Sequence, residues 1–229
     1  MPDTLDDVIL GIDTSLGTAV AIADADGAVH AEAASSDPLG HAEIIGSLLQ
    51  TVLTDAARGP IGQTSAPQPV ALTAVAAGMG PGPFTGLRVG IAAARAFALG
   101  RGIPVVPVAS HDAAALAAML ADPFADLPRF AVVTDARRRE FAYTVYEGVD
   151  DDGLPVRVAG PALVKRDEID QTLAGFAAER RDVTVIPAAM VALVAARSLA
   201  ADRVAQLDEP LYLRAPDVTP PAPRKKVGS

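Results

Sequence analysis

Between residues 76 and 91 an apolar run stops at Gly78-Met-Gly-Pro-Gly-Pro-Phe-Thr-Gly86 and resumes as Leu87-Arg-Val-Gly-Ile91. Four glycines and two prolines in nine residues forbid a regular element there. Val70 to Ala77 has the length and apolar content of a buried strand, and the Ala-rich stretch from Leu87 to Leu99 predicts a buried helix. The loop is therefore a strand-to-helix turn whose glycines allow positive φ or close backbone approach. Thr85 stands where an N-cap is expected, and the first amides of the helix would face whatever lies over the loop. Such a turn serves either as a phosphate cradle or as a bare connector. It lacks the Gly-Lys-Ser/Thr ending of a P-loop and the last glycine of the dinucleotide fingerprint, so both uses stay open.

The 229 residues are 50% hydrophobic, enough for a packed core, in one large domain or two small ones. A formal net charge of −9 argues against a broad nucleic-acid footprint, because affinity for a phosphate backbone comes from clustered Lys and Arg. If RNA is engaged, a partner is expected to hold it. The absence of cysteine excludes disulfides, thiolate metal sites and a thiol nucleophile, and suits a cytoplasmic location. Met1 to Asp7 is acidic and no run of about eighteen apolar residues follows, so neither export nor membrane insertion is expected.

Val8 to Ser15 reads as a buried strand ending in a polar turn, with further strands over 18–23 and 28–34. Asp13, Thr14 and Ser15 offer a carboxylate and two hydroxyls that suit Mg²⁺ or phosphate, or else close an Asx turn, which spacing favours. From His41 to Ala57, Ile44, Ile45, Leu48, Leu49, Val52 and Leu53 recur at helical spacing. The opposite face, with Glu43, Ser47, Gln50, Thr51 and Asp55, is sparsely charged and is either an ordinary solvent face or a subunit contact. His41 is read as a capping or packing residue, since Ile45 occupies the i+4 position that a second metal ligand would need.

Arg58 to Pro69 is a long surface loop rich in breakers. A strand over 103–108 and a helix over 110–120 close a first βββαβα unit. Strands over 130–134 and 141–147 open a second set, separated by Asp135-Ala-Arg-Arg-Arg-Glu140, whose arginines either bind an anion or form a plain charged hairpin tip. A strand over 156–159, a helix over 166–174, a strand over 183–186, a helix over 188–200 and an extended segment at Pro210 to Arg214 follow. Residues 216–229 lack core-forming side chains and are expected to be a disordered tail.

Two β-rich starts, each feeding α/β elements, resemble the duplicated two-lobe α/β fold of actin-like ATPases (ASKHA, RNase H-like), with lobes over 1–110 and 111–215. Ile9-Leu-Gly-Ile-Asp-Thr-Ser15, Gly80-Pro-Gly-Pro-Phe-Thr-Gly-Leu-Arg-Val-Gly90, Thr134-Asp-Ala-Arg-Arg-Arg-Glu-Phe141 and Pro210-Leu-Tyr-Leu-Arg214 together resemble the TsaB (YeaZ) family over nearly the whole chain. That resemblance implies a non-catalytic scaffold subunit for formation of N6-threonylcarbamoyladenosine (t6A) at position 37 of tRNA. It further implies pairing with a TsaD-like paralogue or with itself, a TsaE-like ATPase as third component, and tRNA engaged only through the complex. ATP and metal are then expected on partner subunits and none on this chain.

Pro83 departs from the family, where serine is more usual, and removes a hydroxyl and an N–H donor. Aligning Val106-Pro-Val108 on the catalytic paralogue places its two histidine ligands at Ser110 and Ala114, neither of which can replace imidazole, and His111 has Ala115 at i+4. The resemblance thus implies no catalytic residues and no metal site. It implies an interface over His41, Ile44, Ile45, Leu48, Leu49, Val52, Leu53, Phe84 and Arg88, and a vestigial nucleotide site over Asp13, Thr14, Ser15, Gly80, Gly82, Thr85 and Gly86. The competing class is an ATP-dependent actin-fold enzyme or a glycoprotease-like hydrolase. The second of these lacks a metal pair, a cysteine and any evident triad among His30, His41 and His111.

Overall fold

A computed structural model describes residues 7–37, 40–58, 68–121, 127–207 and 209–214. The expectations for the segment after Arg58 and for the tail at 216–229 fall wholly or mostly outside them.

The elements run β1 (Val8–Asp13), β2 (Thr18–Ala23), β3 (Val29–Ser35), α1 (His41–Arg58), β4 (Leu72–Gly78), α2 (Phe84–Arg101), β5 (Val105–Val108) and α3 (Ser110–Leu120), then β6 (Phe130–Asp135), β7 (Glu140–Val149), β8 (Pro155–Lys165), α4 (Ile169–Gly175), β9 (Glu179–Asp182) and α5 (Ala188–Ala200). The first sheet has the order β3-β2-β1-β4-β5 and the second β8-β7-β6-β9. In each, a three-stranded antiparallel meander gains a parallel strand on the free side of its first strand, β4 beside β1 and β9 beside β6. The second sheet repeats the first without a fifth strand.

Strand alternation sends the side chains of the first sheet into two layers. Leu10, Ile12, Val20, Ile22, Val75 and Ala77 face α1 and α2, where Ile45, Val52, Leu87, Ile91 and Ala94 meet them. Ile9, Ala21, Ala74, Ala76, Val106 and Val108 face a central layer containing α3 and α5, which also receives Phe130, Val132 and Tyr146 from the second sheet. Ala131, Val133, Val145 and Val164 point outward from that layer, onto Ile169 and Leu173 of α4.

Coverage of the sheets crosses the halves: α5 lies over β1 and β2, while α3 meets β7, β8 and β6. At Gly11 a Cβ would stand 2.1 Å from the Ala188 carbonyl oxygen, so only glycine lets α5 come so close to β1. The expected division into 1–110 and 111–215 separates the two sheets but not the helices that cover them.

Three local expectations are corrected. Helix α2 starts at Phe84 rather than Leu87, with Pro83 as N-cap at φ −61° and no side-chain cap; Thr85 lies inside the first turn. Proline's fixed φ already directs the chain into the helix there. The last strand is Glu179–Asp182 rather than 183–186: the charged segment pairs as an edge along β6, while Val183 and the buried Ile186 run on to α5. Residues 166–168 form a turn, and α4 begins only at Ile169.

Candidate functional site

A cleft of about 580 Å³ separates the glycine-proline loop and start of α2 from the β6–β7 turn, with Tyr212 to Arg214 along one side. Gly82, Thr85, Gly86 and His41 line it, and Thr134, Arg137 and Arg138 face them. The loop sits there because its glycines admit neighbouring atoms. A Cβ on Gly82 would lie 2.7 Å from the Ser15 Cβ, and one on Gly86 would lie 2.7 Å from the Thr14 carbonyl oxygen and 2.9 Å from His41 Nε2.

The polar triplet after β1 is turned inward. The Ser15 amide and hydroxyl both donate to Asp13 Oδ1, at 2.8 and 2.5 Å, which closes the Asx turn that spacing favours. Ser110 Oγ donates to Asp13 Oδ2 at 2.5 Å and accepts the Gly80 amide at 3.0 Å. Gly78 allows the carboxylate this position, since a Cβ there would fall 1.9 Å from Oδ2. Asp13 is 2% exposed, and burial holds its carboxyl above the usual range despite the hydrogen bonds from Ser110 and Ser15. The Thr14 hydroxyl donates to the Gly86 carbonyl at 2.8 Å, tying the hairpin to α2. These three side chains hold the loop from behind through hydrogen bonds within the fold.

The position expected for the paralogue's first metal ligand is Ser110, and its hydroxyl is committed to Asp13 and Gly80. Ala114 is buried, and His111 is enclosed between hydroxyls, Nδ1 at 2.8 Å from Thr144 Oγ1 and Nε2 at 3.0 Å from Thr134 Oγ1. Burial, with a smaller contribution from Arg157, lowers His111 to about 3, so the ring is neutral and joins α3 to β6 and β7. Among the described residues no three His, Cys, Asp or Glu side chains converge as a metal would require. The residues present do not fit the paralogue's metal.

The expected interface residues divide in two. Val52 is 0% exposed, and Ile45 and His41 are buried, His41 Nδ1 lying 2.8 Å from Thr18 Oγ1, so these belong to the fold itself. Leu48, Leu49 and Leu53 are half-buried against the same core, and Ile44 is half-buried. Phe84 and Arg88 are brought together at the cleft rim, but with a third group that sequence reasoning missed. Tyr212 stacks on Phe84 with centroids 4.7 Å apart, and Arg88 sets its guanidinium 3.7 Å over Phe84 and donates from Nε to the Tyr212 hydroxyl at 3.1 Å. Backbone pairing of Leu211 with Met79 at 2.8 Å and an ion pair from Arg214 to Glu140 fix that segment.

Two sheets of repeated strand order around a shared helical layer, with a cleft between their turns, define an actin-like fold. Its relatives are consistent with this. The solved structure of YeaZ from Pseudomonas aeruginosa superposes with a TM-score of 0.68 at 20% identity, over 90% of this chain and 100% of that one. Proteins described as uncharacterised from Mycobacterium tuberculosis and Mycobacterium bovis are each 37% identical over 224 residues, covering 93% of this chain and 94% of their own. Residues 21–174 match the model of the TsaD family, tRNA N6-adenosine threonylcarbamoyltransferase. The chain belongs to that family, and its fold is that of YeaZ.

Proposed function

We propose that this chain is a non-catalytic assembly subunit for t6A formation on tRNA, pairing with a TsaD-like transferase and serving with a TsaE-like ATPase. The observation that carries the reading is Ser110. Where the transferase would place a metal-binding imidazole, this chain has a hydroxyl fully engaged in holding Asp13 and the Gly80 loop. A site whose donors are consumed by the fold serves shape, and the family relationship supplies the process in which that shape is used.

The contact surface we assign is the outer side of α1 with the start of α2. Gly46 supports it: among the described residues a Cβ there would meet no atom within 4 Å, so no packing among them accounts for glycine in the helix interior. A partner helix approaching closely would. The Phe84–Tyr212–Arg88 stack borders the same region with an aromatic and arginine surface of the kind that anchors interfaces.

Reconstituting threonylcarbamoyl transfer with TsaD-like and TsaE-like partners, with and without this chain, tests the role. Activity and a heterodimer by light scattering should both require it; transfer that proceeds equally without the chain, with no complex formed, overturns the reading. Ile44→Glu with Leu48→Glu is the interface variant of choice, because Val52→Glu would bury an unpaired carboxylate and unfold the chain.

A further inference from the structure

The cleft retains the outline of a phosphate site, but the loop ahead of α2 and the β6–β7 turn offer it few backbone donors. On the loop side the Gly80 amide is taken by Ser110, and Pro81 and Pro83 have no N–H. On the turn side the Arg137 amide donates to Asp135 Oδ1 at 2.7 Å, Ala136 to the Glu140 carbonyl at 3.1 Å and Glu140 to the Arg137 carbonyl at 3.0 Å. Phosphate cradles depend on several convergent backbone N–H groups; those left here belong to the first turn of α2, which has no side-chain cap.

Side chains on the facing turn add the charge. Arg137, Arg138 and Arg139 occupy the left-handed region at φ 61°, 51° and 62°, and the first two line the cleft. Leu16, Leu163 and the Phe84–Tyr212 pair supply apolar wall on the other sides. On a chain of net charge −9, this is an arginine- and aromatic-lined notch whose one wall carboxylate, Asp135, is paired with Arg166 at 2.7 Å. An extended nucleic acid would be repelled by that net charge, whereas a short carboxylate-bearing segment meets attraction at the cleft.

We propose that the cleft docks an acidic segment of a partner polypeptide, its carboxylates on Arg137 and Arg138 and an apolar or aromatic side chain against Phe84 and Tyr212. The site does not rest on the assembly role above, and the isolated full chain suffices to test it. The probe is a fluorescein-labelled peptide, Glu-Glu-Phe-Glu-Glu-Leu-Glu, followed by anisotropy against wild type and against Arg137→Gly with Arg138→Gly. Glycine is at ease at these φ values, so the double variant keeps the turn.

Saturable binding is expected, weakened about tenfold or more by the double variant and by replacing every Glu of the peptide with Gln. Excess Mg-ATP or inorganic phosphate should leave the peptide bound. Equal binding of the Gln peptide, equal binding by the double variant, displacement by Mg-ATP or phosphate, or no binding up to about 1 mM each overturns the proposal.

Discussion

The hydroxyl of Ser110 at the first residue of α3 lies 2.5 Å from Oδ2 of Asp13 at the last residue of β1, across 97 positions of sequence. The same oxygen accepts the Gly80 amide, so one small side chain joins β1, the glycine-proline loop and α3. Ser110→Ala leaves a buried carboxylate oxygen and a buried amide short of a partner. A loss of about 2–3 kcal/mol in denaturant unfolding is expected, and an unchanged midpoint would show that the loop is held by other means.

Two helix glycines should respond oppositely to alanine. At Gly90 a Cβ would fall 2.2 Å from Thr14 Oγ1, so Gly90→Ala should cost about 1–3 kcal/mol through overpacking. At Gly46 the added methyl meets none of the described residues within 4 Å, and Gly46→Ala should stabilise the isolated chain by about 0.5–1 kcal/mol while weakening the complex with a TsaD-like partner. Thermal melts of both variants and titration calorimetry of the second separate the outcomes.

His111 predicts the acid limb of stability. Its folded value of about 3 lies below the ordinary 6.5, so between these pH values the unfolded chain binds a proton that the folded chain does not. Stability attributable to it is intact above pH 6.5 and falls as pH decreases, by about 2 kcal/mol at pH 5. Asp13, held above the usual carboxylate range chiefly by burial, works in the opposite sense as pH falls. The comparison is therefore between wild type and His111→Gln, whose amide can still donate to one threonine and accept from the other; the variant's profile should be the flatter.

Three consecutive non-glycine residues in the left-handed region make the β6–β7 turn a strained one. Replacing Arg138, at φ 51°, by glycine should leave the melting temperature unchanged or raise it, with relief of about 1 kcal/mol set against the added freedom of the unfolded chain. A clear fall in melting temperature would mean that the Arg138 side chain holds the turn together.

Much of the architecture is legible in the sequence because periodicity carries it: α3 and α5 begin and end where their apolar runs do, and the two meanders announce the duplicated fold. Misplacements occur where tertiary pairing overrides local signal. Glu-Arg-Arg-Asp at 179–182 has no strand character of its own and pairs only because β6 presents a free edge, while Pro83 makes Thr85 unnecessary as a cap. The apolar stripe of α1 is visible, but sequence cannot say whether this chain or another covers it; Val52 is covered by its own sheet. Tyr212 stands in the Pro210–Arg214 motif, but its place in the site is hidden from sequence because its partners Phe84 and Arg88 lie more than 120 residues earlier.

The crossing of helices between halves has a consequence for synthesis. During translation the inner face of the first sheet, with Ile9, Ala21, Ala76 and Val108, waits for a helix made only at residues 188–200. A nascent chain halted at residue 110 would thus have all five strands of that sheet and an apolar face open to chaperones. The emergence of α5 from the ribosome is the event that seals it.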